Sequence, residues 1–514
     1  MLTGNVVRRR SGIAQDGLSR VQHRLAAPWH LYLLGVVASL VVVLWAVGFR
    51  GFQVDDTGIY GRVIHHWLSS GKATFNTIDP AFPITSYLWF LVNAYLIHWF
   101  HVEAIYAFLR IASAIFYFAS WVVFFLALRR FIRSPYILVG TALLLITDEI
   151  ALESASSGMD TALALFASVL AIYLFETQGE GLSLGFALVT RPEGLFLALA
   201  NGLTRLVHKQ WRRIGWSLLG GAIVVICVFF LVGRMAVSST NTLQMKSSHF
   251  SLFLSGLTNL KRTLLIVGAF TGWPVLLLLM TGGKRLLKIM AQLWREPVIQ
   301  MCLLFVGMTC GSYVALLNGD FLKARYFVVI VPFVYLVLGI MADRTFGHLP
   351  QKARYWTIVW LVNLALILTA GLANARENYD TYLRRLQEAH LLEKHAQPGD
   401  TVFTGAIGVV GYETDLQVLD PAGLATPAAI KPIHPGDCDY MLRLYQPKFL
   451  TQLLPVATFA PVQTVAWADC HLNFKVQLVD SVDMNLFEGS WFFWQPATAT
   501  RVALYRITGW TPLK

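Results

Sequence analysis

Phe52-Gln53-Val54-Asp55-Asp56-Thr57-Gly58-Ile59-Tyr60 follows directly on an apolar stretch that runs from about His30 to Phe49. Reading that stretch as a transmembrane span fixes the fold class. Two adjacent carboxylates at the mouth of such a span are costly to hold near lipid, and ionisable groups so placed mark a functional site.

The rest of the chain has the composition this reading requires. Of 514 residues, 56% are hydrophobic and 14% charged, against about 25% charged in a soluble globular average. The chain is a multi-pass α-helical membrane protein. Its net charge of +12 does not point to nucleic acid, because the basic residues cluster between apolar spans, where the positive-inside rule puts them. Arg8-Arg9-Arg10, Arg20 and Arg24 lie in a tail, residues 1–29, before a span long enough to stay as an anchor rather than a cleaved signal. The N-terminus is expected in the cytoplasm.

Further apolar segments fall near 104–128, 135–147, 160–175, 181–190, 194–207, 214–233, 263–281, 298–317, 326–342 and 355–373. Ser86 to Phe100 is apolar but short, and carries Asn93 and His98. As a full span it would place Arg129-Arg130 and Arg133 outside and the acidic stretch Asp148 to Asp160 inside, inverting the usual bias. It is read as a helix lying in the membrane interface. The clusters Arg205 to Arg213, Lys284 to Arg295 and Arg344 to Arg354 then share the cytoplasmic side, and about eleven spans send the C-terminus outside.

On the outer face this leaves the Asp55-Asp56 loop (50–103), Glu153 to Asp160, Thr190-Arg191-Pro192-Glu193-Gly194, Asn241 to Lys246, and Asp320 to Tyr326. Span 181–190 is too short for roughly 30 Å of hydrocarbon at about 1.5 Å per residue. It is expected to end at a turn recessed below the surface, where irregular backbone is tolerated if it lines a cavity. From residue 374 to 514 the composition is that of a soluble mixed α/β domain. A helix is read over Glu377 to His395, with short strands over Thr401 to Thr404 and Leu416 to Leu419. Cys227, Cys302 and Cys310 lie in spans as core residues, whereas Cys438 and Cys470 lie where an oxidising compartment permits a disulfide.

Six motifs stand in order: Asp55-Asp56-x-x-Ile59-Tyr60, Ser157-Gly158-Met159-Asp160-Thr161, Thr190-Arg191-Pro192-Glu193-Gly194, Asn241-Thr242 with Lys246, Gly319-Asp320-Phe321 with Arg325, and Gly408 to Tyr412 followed by Asp420 and Gly423-Leu424. The set resembles the GT-C fold glycosyltransferases, membrane enzymes that use polyprenyl-phosphate sugars. Within them it looks most like the bacterial terminal arabinofuranosyltransferase group, and is more distantly similar to the lipid A aminoarabinose transferases and protein O-mannosyltransferases. The sequence departs from the pattern at Asp160, where Glu is commoner, and at Pro83-Ile84-Thr85-Ser86.

Transfer from a lipid-phosphate sugar needs a base for the acceptor hydroxyl and cations for the leaving phosphate. The resemblance makes Asp55 the candidate base, with Asp56 orienting it or binding a sugar hydroxyl; a helix cap or a solvated pair is the plain alternative. Arg191 is a candidate for bidentate phosphate binding, or pairs with Glu193 to brace the broken helix. Lys246, Arg325 and Tyr326 are further donor-site candidates. Asp160 and Asp320 could bind sugar or acceptor hydroxyls or pair with those cations, and Asp160 could cap the helix from Thr161.

No cofactor is implied: His65-His66 and His98/His101 lack metal-site spacing, so a divalent cation is not indicated. Trp491-Phe492-Phe493-Trp494 could stack on sugars or pack in a core. Gly-rich nucleotide loops are absent. The resemblance implies transfer of a monosaccharide from a polyprenyl-phosphate donor to an envelope glycan, glycolipid or protein at the outer face of a bacterial inner membrane. The rivals are a transporter or flippase of a lipid-linked saccharide, against which no internal repeat is seen, and a non-catalytic assembly subunit.

Overall fold

A computed structural model describes residues 29–48, 54–78, 80–236, 254–316, 322–347, 355–366, 372–421, 423–426, 439–455, 462–467, 472–486 and 498–512. Lys246, Asp320, the cysteines at 438 and 470 and the aromatic run 491–494 lie outside the described residues.

Helix α1 (Trp29–Gly48) leaves Leu33, Val37, Val41 and Leu44 exposed, a face suited to lipid. Two short helices follow. α2 (Asp56–Ser70) closes on Gly71, whose left-handed φ of 73° lets its N–H reach the Trp67 carbonyl. α3 (Tyr87–Phe100), the segment read as interfacial, opens on Ser86, whose hydroxyl accepts the Trp89 N–H. It leaves Tyr95, Trp99 and Phe100 exposed.

After α4 (Ile105–Phe131) comes α5 (Pro135–Ile146), with proline at its first turn, where no N–H is missed. The chain bends by 54° into α6 (Glu149–Ser156), whose N-terminus is capped by Asp148 accepting the Ala151 N–H at 3.0 Å. Glu153, expected in a loop, is therefore helical; the cap and the bend restart the helix beyond the expected end of its span. α7 (Thr161–Leu174), α8 (Glu180–Thr190), α9 (Gly194–Val207) and α10 (Trp211–Gly233) complete the first half. α11 (Leu254–Leu293) runs through Pro274, so much of the expected basic connection from Lys284 is also helix. α12 (Pro297–Leu316), a 3₁₀ turn Ala324–Val329, α13 (Val331–Phe346) and α14 (Tyr355–Leu366) follow.

Among the described residues, α4, α10 and Pro297–Ala315 of α12 are each long and apolar enough to cross a membrane, and the bent pair α5–α6 makes a fourth candidate. α7, α8 and α9 are apolar but shorter. At one end of the bundle, basic turns meet one another. Arg130 donates to the carbonyl of Phe175, Arg205 is sealed against Glu180 at 2.6 Å, His208 meets Gln300, and Asp343 accepts the N–H groups of Arg133 and Ser134. The opposite ends of the same helices carry Ser156, Asp160, Arg191 and Tyr313.

α15 (Leu372–His395) leads into the C-terminal domain. Its six-stranded sheet has the order β2-β1-β3-β6-β5-β4, from β1 (Thr401–Phe403), β2 (Gln417–Leu419), β3 (Phe449–Pro455), β4 (Val462–Trp467), β5 (Leu472–Leu486) and β6 (Thr498–Pro512). The β1 pairings are parallel and the rest antiparallel. Between β1 and β2 lies α16 (Ile407–Glu413). The helix read before the first strand and both short strands are present. Val402, Val418 and Ala389 share one buried core with Val63 and Phe75 of the first loop.

That shared core is fastened by Arg62 of α2, which is buried. Its guanidinium donates to the carbonyls of Phe75 (2.5 Å), Thr414 (3.1 Å), Leu416 (2.5 Å) and Gly411. Beside it Asn76 exchanges hydrogen bonds with both backbone groups of Val418. A Cβ on Gly58 would strike the Gly408 carbonyl. Only glycine lets α2 and α16 meet backbone to backbone.

Candidate active site

Three hydrogen bonds fasten the start of the first loop, α4 and the end of α6 to one another. Tyr106 donates to the Val54 carbonyl at 3.1 Å, Thr57 to the Ser157 carbonyl, and Arg110 to the Ser156 carbonyl at 3.1 Å. Gly158, at φ 75°, makes the turn between α6 and α7, and a Cβ there would meet the Thr57 methyl at 2.6 Å. These ties hold the first loop against the 157–161 turn, and the 191–194 turn and the 3₁₀ turn meet them at one cavity.

Asp56, Tyr60, Asp160, Arg191, Arg325 and Tyr326 line it. Ile59, Pro83, Met159 and Leu424 form apolar parts of the wall, the last from the C-terminal domain. Arg325 is ion-paired with Asp56. Arg191 is 6% exposed and its Nε lies 3.3 Å from Asp160 Oδ2 and 3.9 Å from Glu193 Oε2. Its guanidinium also sits 5.3 Å from the centre of the Tyr326 ring, within cation–π range. Asp160 is thus the nearer carboxylate. It makes no side-chain cap to α7, so the capping alternative does not hold. Glu193 Oε1 accepts the Tyr313 hydroxyl at 2.7 Å, which ties the recessed turn to α12.

Two guanidinium groups and two carboxylates line the cavity, so its formal charges balance. Arg191 Nη1 and Arg325 Nε have no hydrogen-bond partner among the described residues, and a buried donor left unpaired costs about 1–3 kcal/mol. A phosphate oxygen would satisfy them. Among the described residues no group of three or more His, Cys, Asp or Glu could hold a metal ion.

Asp55 stands apart from this cluster. Its Oδ1 accepts the Val409 N–H at 2.9 Å and its Oδ2 the Gly408 N–H at 3.1 Å. Burial pushes its carboxyl above the ordinary range, while Arg385 and the Val409 N–H pull it back. The structure therefore brings Asp56, Asp160, Arg191, Arg325 and Tyr326 to one cavity, sets Glu193 just behind Arg191, and turns Asp55 toward α16. Tyr60 and Leu424 belong to motifs read from the sequence but were not singled out. Tyr60 follows Asp56 by four residues on one helix face, which is the signal that would have found it. Leu424 had none, because it arrives from a separate domain.

The arrangement is a bundle of apolar helices joined to a C-terminal α/β domain. Solved structures share it. ArnT from Cupriavidus metallidurans bound to undecaprenyl phosphate matches at a TM-score of 0.55 and 14% identity, covering 93% of this chain and 98% of ArnT. The apo state of ArnT matches at 0.55 and 14%, covering 92% and 97%. The likeness is of fold: the chain shares the fold of ArnT. Residues 373–505 match a family model described as a domain of unknown function (DUF8728). No curated protein matches the chain.

Proposed function

We propose that the protein is a GT-C-type membrane glycosyltransferase. It moves a monosaccharide from a polyprenyl-phosphate donor to an envelope glycan, glycolipid or protein. The observation that carries this reading is the cavity in which Arg191 and Arg325, with unsatisfied donors, stand beside Asp56 and Asp160. ArnT of the same fold was crystallised with undecaprenyl phosphate, which supports a lipid phosphate as the anion.

The chemistry follows from the groups present. An outer-loop aspartate takes the proton of the acceptor hydroxyl as its oxygen bonds to the anomeric carbon. The bond from that carbon to the phosphate oxygen breaks, and its electron pair leaves with the polyprenyl phosphate. Arg191 and Arg325 meet the charge that develops there. Tyr326 backs Arg191, and Asp160 orients it or receives a sugar hydroxyl. Lys246 and Asp320 are carried into the same proposal from their motifs.

The basic end of the bundle is assigned to the cytoplasm, with the N-terminus, and the cavity and residues 374–514 to the outer face of a bacterial inner membrane. About eleven spans are assigned to residues 30–373, with α3 in the interface. The test is a deletion strain, with envelope glycans and polyprenyl-phosphate sugars measured by mass spectrometry, and undecaprenyl phosphate binding by the purified protein. The expected result is one accumulating lipid-linked sugar, the same sugar missing from the envelope, and binding that is lost in Arg191→Ala. A full envelope sugar complement with no binding overturns the reading.

A further inference from the structure

Asp55 and Asp56 are neighbours that face different partners. Asp56 lines the cavity. Asp55 gives both carboxylate oxygens to the N–H groups of Gly408 and Val409, the second and third residues of α16. Such groups have no partner within a helix and need an outside acceptor. Ala406, which precedes α16, offers no side-chain cap. The same contact is closed by the backbone approach of Gly58 to Gly408 and by the four carbonyls that Arg62 gathers, and the C-terminal domain adds Leu424 to the cavity wall.

We propose that the C-terminal domain is a working part of the site. It takes the Asp55 side chain as the cap of α16 and so makes Asp55 a positioning residue, leaving Asp56 as the carboxylate that takes the acceptor's proton. This rests on the sugar-transfer reading. Arg325 is both the partner of Asp56 and a ligand for the donor phosphate, so phosphate binding draws the guanidinium away and frees the carboxylate when the donor is in place. The proton then passes from the acceptor hydroxyl to Asp56, and the anomeric carbon exchanges its phosphate oxygen for the acceptor oxygen.

Neutral capping residues separate the two roles. Asn keeps one of the two acceptor oxygens and Ser a single, shorter one, and neither takes a proton at neutral pH. Asp55→Asn, Asp55→Ser, Asp55→Ala and Asp56→Asn are expressed as full chains in the deletion strain. Sugar transfer is read in membranes by mass spectrometry, docking of the domain by limited proteolysis, and undecaprenyl phosphate binding on the purified proteins. Asp55→Asn is expected to transfer within about tenfold of the parent, and Asp55→Ser and Asp55→Ala to lose more, with faster proteolysis. Asp56→Asn is expected to lose about 10²- to 10⁴-fold with the domain docked and binding retained. Transfer that falls in step with docking across the Asp55 series also supports positioning. Inactive Asp55→Asn and Asp55→Ser with the domain docked, or an active Asp56→Asn, overturns it. A parent that transfers nothing and binds no undecaprenyl phosphate sinks the sugar-transfer reading instead, while the proteolysis series still reports on Asp55 and the domain.

Discussion

Arg191 shows how one residue can serve both fold and chemistry. It is buried between Asp160, Glu193 and the Tyr326 ring, and it is one of two guanidinium groups in the cavity. An ammonium keeps the charge and loses the planar fork. Arg191→Lys is therefore expected to raise the donor KM about tenfold or more, since a charged hydrogen bond contributes about 1.5–3 kcal/mol. Glu193→Gln keeps an oxygen for the Tyr313 hydroxyl and leaves Asp160 as the nearer charge. It should give near-parental folded yield and a smaller KM effect. Donor KM and folded yield for both variants decide the matter; an unchanged KM and kcat in well-folded Arg191→Lys removes the phosphate role.

Among the elements, α2 and α16 depend most on each other. Arg62→Met should strand the carbonyls of Phe75, Gly411, Thr414 and Leu416, at about 1–3 kcal/mol for each that water does not reach. The expected outcome is faster proteolytic release of the C-terminal domain and a lower thermal midpoint; a parental digestion pattern would refute the fastening role. A second joint ties α15 to β5, where Asp480 Oδ2 lies 2.8 Å from both Lys394 Nζ and His395 Nε2. Those hydrogen bonds hold the Asp480 carboxyl well below its usual range. A carboxyl depressed in the folded state adds stability above its ordinary pKa, near 4. That increment is lost as pH falls toward the folded value. Asp480→Asn should thus cost about 1 kcal/mol or less at pH 7, lowering the midpoint slightly, and the two curves should draw together progressively as pH falls below about 4. A gap that persists in acid would count against this linkage.

Elements also show where sequence stopped being informative. The break after the short helix α8 was legible because ten apolar residues are too few to cross a bilayer, and the short strands because apolar runs were separated by Gly-rich turns. Helix α6 was not, since the bend at Thr147 and Asp148 depends on a cap that restarts the helix beyond the expected loop. The Asp55 contact with α16 was not legible either: adjacent carboxylates read alike until their partners are in place.

For the molecule as a whole, the alternation of basic and site-bearing ends predicts how the chain sits in its membrane. Arg129 is exposed at the basic end and Glu103 beyond the end of α3. In a background lacking other cysteines, Glu103→Cys should react with membrane-impermeant thiol reagents and Arg129→Cys only with permeant ones. The reverse result would make α3 a span and invert the chain after it.

The tie between Asp55 and Val409 joins groups 354 residues apart. At about 5–20 residues per second, ribosomes need roughly 20–70 s to cover that distance. The nascent chain thus carries Asp55 well before the helix it caps has been translated. A ribosome that stalls before codon 407 leaves that contact unmade.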